Sequence, residues 1–219
     1  MEKKDLIAHS PVRFFDNATS AALKDGEMGL VTAKKGLGKT SILVQFGIDS
    51  LLNDKALVHV SFDQQSSNVI AWYSSIMAEV AKKKNFNLDE ICEEIVRNRT
   101  ILNFNQETFT LPKVVNTLKA LKEGGIAIAS VVVDGLDLAK TSKADLDCFA
   151  DFVKAQKMTA WFSYTNEAAD LNGTLDSDKI ADFATVGHLA AEGNTLSLTV
   201  LKNGDGKVNL DAKTLLITK

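Results

Sequence analysis

The chain is predicted to fold as a three-layer α/β domain, a mostly parallel central sheet with helices on both faces, extended by antiparallel hairpins at its C-terminal end. Three observations carry this expectation. Apolar strand-like runs alternate with segments of helical period from residue 28 to residue 165, the pattern of strands joined by right-handed helical crossovers. The run over 126–134, I-A-I-A-S-V-V-V-D, is apolar nearly throughout rather than alternating, as a central strand covered on both faces must be. After residue 185, short β-favouring stretches are separated by Glu192-Gly193-Asn194 and Asn203-Gly204-Asp205-Gly206, which is hairpin-turn chemistry.

With 219 residues, 45% hydrophobic and 24% charged, the chain can bury one sizeable core. Its two prolines and 13 glycines are scattered, so no linker divides it. A single domain over 1–219 is expected: an N-terminal arm over 1–27, a core over 28–165 and the hairpin extension over 185–219. The net charge is −3, and the arginines are Arg13, Arg97 and Arg99. This balance leaves a nucleic-acid partner open but gives it no support, and the run Lys82 to Lys84 reads as a solvated helix end. Cys92 and Cys148 lack C-x-x-C spacing and a histidine at ligand distance in sequence, so they read as reduced structural thiols rather than zinc ligands. The longest apolar run, 126–133, is far too short to span a bilayer, and the charged start lacks a signal-peptide core. No membrane association and a cytoplasmic location are therefore expected.

In chain order, residues 1–27 read as a short helix or arm in which Phe14 and Phe15 cover the edge of the core. A strand over 28–33 leads into a helix from residue 40 to about 53 that is apolar nearly all round. Strands are expected over 56–62, 100–104, 126–134 and 159–165, with helices over 66–83, 88–97, 112–122 and 143–157. Trp72 and Tyr73 read as core residues of the first of these helices. The tail contributes strands over 185–191, 195–201, 208–210 and 214–218.

The most informative stretch joins the first strand to the first helix: Ala33-Lys34-Lys35-Gly36-Leu37-Gly38-Lys39-Thr40-Ser41. Gly36 and Gly38 let the backbone curl and point N–H groups inward at phosphate oxygens. Lys39 supplies a point charge for β- and γ-phosphates, and the Thr40 hydroxyl suits a Mg²⁺ ion. The opening helix adds free N–H groups and the positive end of its dipole. The expected ligand is therefore a nucleotide, ATP or ADP, with Mg²⁺, held by residues 33 to 41. Ala33 stands where the strict pattern has glycine, a small change that the loop tolerates.

In a parallel sheet, ligands sit beyond the carboxyl ends of the strands. Asp134, at the end of V-V-V-D, is placed to hold Mg²⁺ through a water ligand, with Thr40 as the other metal residue, while Asp137 reads as a turn or cap. Asp63 and Gln64 end the second strand and are the candidates for polarising and orienting an attacking water, with Lys39 as the third catalytic candidate. Thr165 and Asn166 offer further hydrogen bonds at the last parallel strand end.

With A-K-K-G-L-G-K-T and V-V-V-D in this order, the chain resembles the RecA/KaiC-like ATPases over about residues 24 to 215. The resemblance implies a RecA-like core, ATP binding, slow Mg²⁺-dependent hydrolysis and assembly into a homo-oligomer with nucleotide at subunit interfaces. It maps the family's catalytic glutamate onto Asp63, one methylene shorter. The late lysine that reaches a neighbouring subunit's nucleotide maps onto Lys202, and Gly204 stands where the KaiC-like branch carries arginine. Both departures point to low turnover, or to a nucleotide-gated interaction module with little or no hydrolysis. Lys34 also resembles the signature lysine of ParA/MinD-like ATPases, although Lys35 stands where that group has glycine.

Overall fold

The computed structural model describes residues 3–62, 64–84, 93, 95–171 and 174–218. Among them nine strands form one mixed sheet in the order β3-β2-β4-β5-β1-β6-β7-β8-β9. These strands are β1 Met28–Ala33, β2 Ala56–Ser61, β3 Arg99–Asn103, β4 Ile128–Asp134, β5 Thr159–Thr165, β6 Thr185–Glu192, β7 Thr195–Lys202, β8 Lys207–Leu210 and β9 Ile217–Thr218. Pairings from β3 across to β6 are parallel, and those from β6 to β9 are antiparallel. The α/β class, the mostly parallel sheet and the antiparallel C-terminal strands thus follow the sequence expectation. One strand differs: β6, expected within the hairpin run, lies parallel to β1 and turns antiparallel only toward β7.

The helices are α1 Lys3–Ala8, α2 Pro11–Thr19, α3 Lys39–Leu52, α4 Ser66–Lys84, α5 Leu111–Glu123, α6 Lys143–Ala155 and α7 Ser177–Ala181. Strand side chains alternate between two cores, as a period of two requires. Val31, Ala33, Val132 and Trp161 pack with residues of α1 to α4 on one face. Leu30, Val131, Val133 and Phe162 pack with α5 and α6 on the other. The N-terminal arm is two helices rather than one. Ser10 caps α2 by accepting from the Val12 N–H, with Pro11 in the first turn, and Phe15 is buried against Phe46 and Trp161. Arg13 on α2 pairs with Asp49 on α3 and with Asp16 at 3.0 Å, which fixes the arm to the helix that follows the Gly-rich loop.

Two further expectations are corrected. The strand expected over 214–218 is confined to Ile217–Thr218, because Asp211 accepts from the Lys213 and Thr214 N–H groups at 3.0 and 2.9 Å and turns the chain. Cys148 is exposed, not structural; the buried face of α6 is made by Leu146, Phe149 and Phe152. The short helix α7 has no counterpart in the sequence reading. Of the helix expected over 88–97, residues 93 and 95–97 are helical, and the remainder, with Cys92, lies outside the described residues.

The core also carries a pH dependence. His59 on β2 is fully buried, with Nδ1 within 3.2 Å of the Tyr73 hydroxyl. Burial, and then the Arg99 guanidinium over the Tyr73 ring, push its pKa down to about 3. The folded chain therefore holds a neutral imidazole that the unfolded chain protonates below pH 6.5. Stability from this group is complete above pH 6.5 and is lost as pH falls toward 3, at about 1.4 kcal/mol per pH unit. Urea unfolding is expected to show wild type losing about 2 kcal/mol more than His59→Gln between pH 7 and pH 5. Equal losses in the two proteins would contradict the assignment.

Candidate functional site

Beyond the carboxyl ends of β1, β4 and β5 lies a cavity of about 830 Å³, within the range of small-molecule sites. Its floor is the Gly-rich loop. Gly36 and Gly38 hold φ of 83° and 101°, a region that residues with a Cβ adopt at a cost. Gly38 is the N-cap of α3 and provides no side-chain cap, so the first N–H groups of a 14-residue helix are left without an intrahelical partner at the cavity wall. The Lys39 ammonium folds back over the loop and donates to the Ala33 and Lys34 carbonyls, both at 3.3 Å.

The strand order then assembles the second part. Because β5 lies between β1 and β4, the end of β5 separates the loop from the V-V-V-D strand end. The register aligns Val133 with Phe162, so Asp134 and Ser163, one residue further on, become cross-strand neighbours on the α3 face. Thr40 donates its hydroxyl hydrogen to Asp134 Oδ2 at 2.6 Å, and Ser163 donates to Oδ1 at 2.5 Å. Ser163 Oγ also accepts from the Gly135 N–H at 2.9 Å. Asp134 is only 3% exposed. Burial raises its carboxyl above the usual carboxylate range, while the Ser163 and Thr40 hydrogen bonds, the Lys39 charge and the Gly135 N–H act the other way.

The walls come from elsewhere in the chain. Gln106, after β3, donates to the Gly135 carbonyl at 2.7 Å and accepts from the Asp137 N–H at 2.9 Å, binding the loop after β4 in place. Trp72 of α4 lines the cavity, whereas its neighbour Tyr73 is buried core. Lys213, Thr214 and Leu215, on the turn before β9, close another side.

The expected site residues divide accordingly. Lys35, Gly36, Gly38, Lys39, Thr40, Ser41, Gln64, Asp134 and Thr165 line the cavity. Ala33 ends β1 inside the core, Leu37 packs against that core, and Lys34 points away to pair with Glu167 at 3.2 Å. Asn166 gives its amide hydrogens to the Ala168 and Asp170 carbonyls at 2.6 and 3.0 Å, so it shapes its own loop. Asp137 behaves as a turn residue, accepting at Oδ1 from the Lys140 N–H at 3.4 Å and pairing with the Lys140 side chain. The Lys202 ammonium donates to the Ile180 and Ala181 carbonyls at 3.1 and 3.0 Å, capping α7 within its own chain. Asp63 lies outside the described residues.

Ser163, Gln106 and residues 213–215 were not singled out from the sequence. For Ser163 the available signal was the alternation of T-A-W-F-S-Y-T, which places a hydroxyl on the face of Trp161 at the strand's carboxyl end. No protein family's sequence model matches this chain, and no curated protein is significantly similar to it. Among the described residues, no helix is long and apolar enough to cross a membrane.

The donor chemistry can be tested against a nucleotide and its metal. Lys35 and Lys39 face the cavity with the uncapped end of α3, a wall suited to a polyanion. One hydroxyl and one carboxylate, 2.6 Å apart, suit Mg²⁺, which keeps several waters and takes few protein ligands. The arrangement fits both groups.

Proposed function

We propose that this chain binds a nucleoside triphosphate, ATP in the first instance, in a RecA/KaiC-like core, and hydrolyses it slowly with Mg²⁺. The observation that carries the reading is the Thr40–Asp134 hydrogen bond at 2.6 Å, which unites two motifs 94 positions apart in one oxygen pair. The insertion of β5 between β1 and β4 and the antiparallel strands after β6 support the RecA/KaiC-like likeness over the ParA/MinD-like one.

In this reading Thr40 and Asp134 would hold Mg²⁺, which would supply positive charge to neutralise the phosphate oxygens. The loop N–H groups and Lys39 bind the phosphates, and Lys39 leaves the loop carbonyls to do so. Ser163 keeps the Asp134 carboxylate turned toward Thr40. Gln64 orients water from the end of β2, with its amide oxygen already accepting from Asn68 at 3.3 Å, and Asp63 is the candidate that polarises it.

Lys202, committed to the α7 carbonyls, favours the second reading, in which nucleotide changes partner affinity with little turnover. Phosphate release under steady-state conditions with Mg²⁺-ATP separates the two. Turnover above background that falls in Lys39→Ala and in Asp63→Ala supports the enzyme. Saturable ATP binding with background turnover supports the module. If neither binding nor turnover appears, the nucleotide reading fails altogether. Self-assembly belongs to the same proposal, and light scattering that shows a monomer with and without ATP would remove it.

A further inference from the structure

The turn over residues 211–216 is more elaborately held than a surface connection requires. Gln45, only 2% exposed, reaches it from the second turn of α3. Its Nε2 donates to the Leu215 carbonyl at 2.9 Å and the Ser41 carbonyl at 3.1 Å, and its Oε1 accepts from the Ile217 N–H at 2.9 Å. Asp211 closes the turn from inside: its carbonyl accepts from the Leu215 N–H at 2.7 Å, and its own N–H donates to Leu216 at 2.9 Å.

Within this frame Leu215 sits at φ 57°. A bulky residue adopts that conformation only when its surroundings impose it, and such residues cluster at binding sites. The Leu215 side chain is carried against Gly38, where its Cδ1 would lie 3.0 Å from a Cβ on that residue. Lys213 stands beside it on the cavity, with no hydrogen bond or ion pair to its ammonium among the described residues.

The two flanks of the Gly-rich loop are therefore different. One carries Asp134 and Ser163, where a metal-bound terminal phosphate belongs. The other carries the 211–216 turn, braced on α3 just beyond the loop. A nucleotide with its metal at Asp134 and its phosphates on the loop N–H groups would have this turn as one of its cavity walls.

Building on the nucleotide reading, we propose that the 211–216 turn is the nucleoside-recognition wall of this site. Leu215 offers an apolar surface to the sugar and base, and Lys213 donates hydrogen bonds to acceptor atoms of the base. Gln45 acts as a positioning residue that holds both to the loop.

Calorimetric titration of wild type, Lys213→Ala and Leu215→Gly with Mg²⁺-ATP and with inorganic tripolyphosphate tests the wall. Glycine accepts the positive φ, and Lys213 is exposed, so both variants are expected to fold. The expected result is ATP binding weakened about tenfold in each variant, with tripolyphosphate binding changed less than twofold. Equal weakening of both ligands would make Lys213 a phosphate cation and overturn the proposal, as would unchanged ATP binding. If wild type binds tripolyphosphate but not ATP, the wall is refuted while the phosphate loop stands. If it binds neither, the underlying nucleotide reading has failed.

Discussion

On the proposed ATPase reading, Asp134→Asn is expected to reduce Mg²⁺-dependent ATP hydrolysis about a hundredfold or more while leaving the fold as stable as wild type or about 1 kcal/mol more so. The two effects have one origin. The Asp134 carboxylate is held almost out of water, with burial working against its charge. Asparagine keeps the shape and one acceptor oxygen, so either Thr40 or Ser163 loses its partner and must turn. That loss is set against the removed cost of a buried charge, and the two nearly cancel. On that reading no such compensation exists for metal binding, because a neutral amide holds Mg²⁺ and its bound waters poorly. Phosphate release and urea unfolding on the same samples would check the claim. A variant that loses several kcal/mol of stability and no activity would reassign Asp134 to a purely structural role.

Asp134 was legible because an acid ending three β-branched residues has few reasons to be there. The shape of the loop was legible because Gly36 and Gly38 accept positive φ and leave the start of α3 uncapped beside the cavity. Most strand and helix limits were legible for the same local reasons: apolar period, caps and Gly/Asn turns.

What was hidden depended on strand order, which no local pattern encodes. Ser163 reads as one polar residue in an apolar strand until β5 is known to lie against β4. The parallel direction of β6 was hidden likewise, since residues 185–191 look the same in either orientation. Residues 214–218 looked like a strand because Thr, Leu and Ile favour one. The Asp211 side chain overrode that preference by capping two N–H groups, and Gln45, 170 positions from Leu215 in sequence, fixed the result. For Lys202 the single chain supplies partners of its own. Its mapping by resemblance assigned it to a neighbour's nucleotide, but the end of α7 supplies carbonyls within reach.

Gly29→Ala is expected to destabilise the fold by about 3 kcal/mol. Gly29 sits inside β1, paired with Trp161 across the parallel ladder to β5. An added Cβ would meet the indole six-membered ring at 2.4 Å, so the ring must move. It has little freedom to do so: Trp161 stacks on Phe46 of α3 with centroids 4.2 Å apart, and Phe15 of α2 packs edge-on at 6.3 Å. The displacement would therefore reach the helix that begins at Lys39 and the arm fixed to it, and the loop between β1 and α3 would lose its anchor. Trp161→Leu alone should also destabilise, through the cavity it leaves. If the clash is the cause, the double variant Gly29→Ala with Trp161→Leu should be more stable than the sum of the single losses allows, by about 1 to 3 kcal/mol. Strict additivity in urea unfolding would show that Gly29 is required for some reason other than the indole lying over it.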